Sequence, residues 1–93
     1  MRNASESGGG HRTAADTCGL DRLAIGRRGM VVAVGGEAEI RRRLLEMGFC
    51  NGASVEVIRR APLGDPIEFR LRGYHLSLRR DQARFVEIAP QRG

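Results

Sequence analysis

Ile67-Glu68-Phe69-Arg70-Leu71-Arg72-Gly73-Tyr74-His75-Leu76-Ser77-Leu78 is two runs of alternating apolar and polar side chains on either side of Arg72-Gly73. Strand side chains point to opposite faces with a period of two, so each run has one face to bury. With Arg72-Gly73 as a two-residue turn, Leu71 faces Tyr74, Phe69 faces Leu76 and Ile67 faces Leu78. The other face then sets Glu68 against Ser77 and Arg70 against His75. A slip of one residue would mix the apolar and polar sets, so burial and the turn specify the same register.

Working outward, residues 53–58 after the Asn51-Gly52 turn alternate until their last step and read as a strand with one buried face. Residues 29–34 form a short β-branched run closed by Gly35-Gly36, a further strand. Between these two lies a helical period over residues 37–47. Ile40, Leu44 and Met47 recur at i, i+4 and i+7 with Leu45 beside them, and Gly48 supplies a stop. Glu37 precedes Arg41, and Glu39 precedes Arg43, by four residues, the favourable spacing for ion pairs on a helix surface. Downstream, residues 79–83 read as a helical turn and 84–88 as a closing strand. The expectation is mainly β: a small, partly open SH3-like barrel of about five strands, with one amphipathic helix between the first and second.

The chain has 93 residues, of which 41% are apolar, enough for one hydrophobic core. Residues 1–18 are rich in Gly, Ser, Ala, Asn and Thr and lack apolar periodicity, so they are expected to form a disordered tail. The folded domain is expected over 19–89, with 90–93 as a frayed end. Cys18 and Cys50 are the only cysteines, which speaks against a disulfide-built scaffold and for a reducing compartment. No stretch approaches the roughly 18 apolar residues of a spanning helix, and the N-terminus lacks the apolar region of a signal peptide. A cytoplasmic protein without direct membrane insertion is expected. The net charge of +5 raises a nucleic-acid alternative. Every basic side chain is arginine, however, and acids are interleaved with them, the pattern of a solvated, salt-bridged surface. Nucleic acid is therefore not an expected partner.

Groups for catalysis are scarce. His11 lies in the tail, and His75 points outward opposite Arg70 with no carboxylate to orient it; no Gly-rich phosphate loop is present. An enzyme is not expected, nor is a cofactor. For metal, Cys50 and His75 are weak candidates for ferrous iron or another transition metal, because no spacing in the chain aims two ligands at one ion. The segment Ala61-Pro62-Leu63-Gly64-Asp65-Pro66 is more informative. Two prolines stiffen it and Gly64 permits a positive φ, so Leu63 is either carried on a rigid exposed tip or folded back over the barrel end. A partner surface is expected where helix end and loop offer apolar side chains: Leu45 and Phe49, with Pro62, Leu63, Gly64 and Pro66.

Three stretches together, Arg41 through Phe49, Val55 through Ile67 and Arg72 through Arg79, resemble the ferrous iron transport protein A (FeoA) family over roughly residues 20–88. The Ala-Pro-Leu-Gly-Asp-Pro run with Arg-Gly-Tyr at the hairpin is its most restrictive part. The resemblance implies an SH3-like barrel that is accessory to bacterial ferrous iron uptake and has no known enzymatic activity. Its implied partner is FeoB, a membrane iron transporter with a cytoplasmic GTP-binding domain, which would recruit the chain to the inner face of the membrane. Related domains occur at the C-terminus of metal-dependent repressors of the diphtheria toxin repressor type, whose DNA-binding and dimerisation parts are not expected in 93 residues. The alternatives are a basic nucleic-acid-binding barrel and a metal-sensing domain using Cys50 and His75.

Overall fold

The computed structural model describes residues 17–91. In chain order it contains β1 (Cys18–Gly19), a single 3-10 turn (Leu20–Arg22), β2 (Arg28–Val34), α1 (Ala38–Met47), β3 (Ser54–Arg60), β4 (Ile67–Leu71), β5 (Tyr74–Leu78), α2 (Arg80–Ala83) and β6 (Val86–Pro90). All strands of the described residues join one antiparallel sheet in the order β1-β6-β2-β3-β4-β5. The sheet curls without closing, which leaves β1 and β5 as its edges. The mainly β, SH3-like architecture is as expected, with six strands among the described residues where about five were expected.

The β4–β5 hairpin has the register read from its alternation: Ile67 opposite Leu78, Glu68 opposite Ser77, Phe69 opposite Leu76, Arg70 opposite His75 and Leu71 opposite Tyr74. Its turn residues Arg72 and Gly73 both adopt positive φ, 53° and 89°, which matches the twist of the flanking strands. The alternation of β3 fails at Ile58 for a reason now visible. The pairing with β4 shifts between Val57 and Arg59, a bulge that leaves Ile58 unpaired and bends the strand. A second shift, between Val31 and Ala33, bends β2 against β6.

Two corrections concern the ends of the domain. Cys18, assigned to the tail, pairs with Ile88, and Gly19 pairs with Glu87. A two-residue strand is too short to show alternation, so the sequence carries no signal for it. Pro90, assigned to a frayed end, closes β6 opposite Gly29. The rest of the expected tail, residues 1–16, lies outside the described residues.

Phe69, Ile67 and Leu71 of β4, Val55 and Val57 of β3, Val31 of β2 and Val86 and Ile88 of β6 are fully buried or nearly so, with Leu20 from the 3-10 turn and Leu44 from α1. Ile40 and Met47 pack against this core from the same helix face as Leu44. The expected ion pairs on α1 do not form among the described residues. Glu37 is the N-cap, with an extended backbone that takes its carboxylate off the helical spacing. Arg41 turns back instead, its Nε donating to the Val34 carbonyl at 3.1 Å.

Candidate partner-binding surface

The loop between β3 and β4 holds its shape through its own backbone. The Gly64 N–H donates to the Ala61 carbonyl at 2.7 Å, and the Ala61 N–H donates to the Pro66 carbonyl at 3.0 Å. Gly64 has φ 90°, a left-handed conformation that costs a side-chain-bearing residue free energy, and this turns the chain back toward Pro66. Two ties fix the loop to the domain. The Arg80 N–H donates to Asp65 Oδ1 at 2.9 Å, so the carboxylate accepts from the first residue of α2. At the loop's start, the Arg60 guanidinium donates to the carbonyls of Asp21 and Leu23, at 2.9 and 3.1 Å.

On this frame Leu63 is 94% exposed. Of the two conformations open to it from the sequence, the rigid tip is the one adopted. Pro62 and Pro66 are exposed and Gly64 is half-buried. Beside them runs a cleft of about 530 Å³ lined by Arg59, Arg60, Ala61, Pro62, Pro66, Glu68 and Ser77. Its lining is mixed: an ion pair, Arg59 Nε to Glu68 Oε1 at 2.6 Å, stands with the apolar Ala61, Pro62 and Pro66.

Phe49 does not belong to this surface. It has no exposure at all and is among the largest core side chains. The cause is local: Gly48 ends α1 in the left-handed region at φ 112°, its N–H reaches the Leu45 carbonyl at 3.0 Å, and the Phe49 N–H reaches the Leu44 carbonyl at 3.1 Å. This pair of bonds is a Schellman motif, which turns the residue after the glycine back onto the helix it ends, here onto buried Leu44. The spacing of Leu44, Gly48 and Phe49 was the sequence signal for that burial. Leu45 remains on the surface at 36% exposure. The end of α1 meets the turn end of the hairpin, where Tyr74 Oη donates to the Met47 carbonyl at 2.8 Å. Pro66 leads into Ile67 at the opposite end of the same hairpin, so the expected surface is divided, and only its loop half is a continuous apolar projection.

Cys50 and His75 are not brought together. Cys50 packs against the core, and its Sγ accepts from an Arg72 guanidinium nitrogen at 2.9 Å. His75 is exposed on the outer face of β5, beside Arg70. Among the described residues no three His, Cys, Asp or Glu side chains gather as a metal site. Partial burial pushes the Cys18 thiol above its ordinary pKa, with the Asp21 carboxylate adding to the shift and Arg22 opposing it. No helix among the described residues is long and apolar enough to cross a membrane.

An open, six-stranded antiparallel sheet with one packed helix and a projecting proline-bounded loop defines a small SH3-like domain. The sequence family matches it: residues 18–90 match the FeoA domain model. The chain belongs to the FeoA domain family. A curated relative, the Fe(2+) transport protein A/Fe(2+) transporter FeoB fusion protein of Porphyromonas gingivalis, is 41% identical over 69 residues. That stretch is 74% of this chain but spans only 8% of the relative's length. Among solved structures, the FeoA protein of Chlorobium tepidum is 40% identical with a TM-score of 0.74, over 81% of this chain and 71% of that one. The zinc-complexed FeoA of Stenotrophomonas maltophilia is 26% identical with a TM-score of 0.69, over 80% of this chain and 95% of that one. It is described as a procaryotic SH3 domain protein and a candidate activating factor of bacterial ferrous iron transport.

Proposed function

We propose that this chain is an accessory domain of bacterial ferrous iron uptake, acting by protein–protein contact with the cytoplasmic GTP-binding part of a FeoB-type transporter. The observation that supports this most directly is the Porphyromonas gingivalis fusion, in which a segment 41% identical to this chain is encoded in one polypeptide with a FeoB transporter. Fusion holds two partners at high effective concentration, and a free chain must replace that tether with an interface of its own. The Pro62–Pro66 tip suits that task. Its backbone is already ordered, so little conformational entropy is lost when Leu63 is buried against a partner. The action proposed is binding in the cytoplasm, at the inner face of the membrane, and requires neither catalysis nor a resident metal; ferrous iron is the transporter's cargo.

Co-purification of the chain with the cytoplasmic part of the transporter from the same organism, with and without guanine nucleotide, tests the proposal. Retention in at least one nucleotide state is expected. Absence of retention in every state would contradict it.

A further inference from the structure

On the solvent side of the sheet, Arg28 lies opposite Glu56, Glu56 opposite Arg70, and Arg70 opposite His75. Directly paired residues project from the same face, so these four side chains form one row across β2, β3, β4 and β5. Arg28, Glu56 and Arg70 of that row, with Ser54, Arg72 and Gly73 on its side toward the hairpin turn, line a single cleft of about 220 Å³. Three arginines and one carboxylate thus line it. Arg70 Nη1 stands 3.7 Å from Glu56 Oε1, a loose and largely solvated pair. Arg72 commits one nitrogen to Cys50 Sγ and keeps the others. Among the described residues the Arg28 guanidinium and the Ser54 hydroxyl have no polar partner. In a two-residue hairpin turn the ladder bonds belong to the flanking residues, Leu71 and Tyr74, so the Gly73 N–H is also uncommitted.

We propose that this corner of the sheet is a binding site for a phosphoryl group. Its donors are of the kinds that phosphate oxygens accept from: planar guanidinium forks, a hydroxyl and a turn N–H. They come from three strands and a turn, so they surround a tetrahedral anion better than a planar carboxylate. The balance of charge agrees, since three guanidiniums against Glu56 leave an excess close to the charge of a phosphate monoester, about −1.5 to −2. The arginine run of α1 differs in kind: Arg41, Arg42 and Arg43 are exposed, Arg41 is already tied to Val34, and Arg43 lines a cleft whose other residues bring no second guanidinium. The group's source is either a soluble phosphorylated compound or a phospholipid headgroup, because the chemistry recognised is the same.

The test is an amide NMR titration of the full chain with pyrophosphate, against sodium chloride at matched ionic strength. A second arm uses phosphatidylcholine vesicles with and without phosphatidic acid. The expected result is saturable shifts centred on Ser54 and Gly73, with affinity weakened by about tenfold in the Arg28→Gln, Arg72→Gln double variant. The urea midpoint of that variant should stay unchanged, since both side chains are on the surface. Shifts with pyrophosphate identify a soluble source; retention only on phosphatidic acid vesicles, lost in the double variant, identifies a headgroup. Shifts that survive the double variant, or that are equally large along α1, mean an adventitious ion only and overturn the proposal, as does no response in either arm. Neither arm contains a transporter, so the outcome is independent of the partner proposed above.

Discussion

Phe49 and Leu63 are two large apolar residues that each follow a turn-forming residue or pair, and the fold treats them in opposite ways. Phe49 is wholly buried and Leu63 is 94% exposed. Behind Phe49 stands a helix whose last turn bonds the chain back on itself, so the aromatic ring is carried onto Leu44 and into the core. Behind Leu63 stands a loop whose backbone hydrogen bonds close on the loop itself, between Ala61, Gly64 and Pro66, while its tie to α2 runs through the Asp65 side chain. Turn chemistry alone therefore does not say whether an apolar side chain serves the core or the surface. What decides is whether the turn's bonds lead back to an element with an apolar face.

Substitutions at the two regions should separate accordingly. Phe49→Ala should have the largest effect, about 3–5 kcal/mol of destabilisation, read as a fall in the urea midpoint. Gly48→Ala should come next, at about 1–3 kcal/mol. Its φ of 112° strains any residue with a Cβ, and that Cβ would stand 3.1 Å from Leu71 Cδ2 and 3.2 Å from Tyr74 Oη. A smaller effect is expected at β1. The folded chain holds the Cys18 proton more tightly than the unfolded chain does, so this contribution to stability is present below the ordinary thiol pKa. It should fade as pH rises through the elevated value, and Cys18→Ser should flatten that alkaline slope in urea titrations across pH 7 to 10. Leu63→Ala should be the smallest, within about 0.5 kcal/mol of the parent, because the side chain is in water already. A large loss of stability at Leu63, or none at Phe49, would break the contrast.

The elements that were legible in the sequence are those whose burial follows a period. The β4–β5 hairpin was readable to the register, because its apolar and polar sets separate only when Arg72-Gly73 forms the turn. The helix was readable from Ile40, Leu44 and Met47. The stiffness of the loop followed from its prolines and Gly64, but its outward aim did not, since that depends on the ties from Arg80 and Arg60 to residues distant in the chain. β1 escaped because two residues have no period and its pairing with β6 is long-range. Phe49, expected on the surface, carries a local signal for the core: a Schellman ending at Gly48 turns the next residue onto Leu44.

The central claim is that the exposed loop, and not the helix end, carries the partner contact. Titration calorimetry of the chain into the cytoplasmic part of its FeoB-type transporter, repeated with Leu63→Ala, tests this most directly. An affinity loss of about tenfold or more, with the urea midpoint unchanged, is the predicted result. Equal affinity for the two proteins would contradict the account and remove Leu63 from the interface.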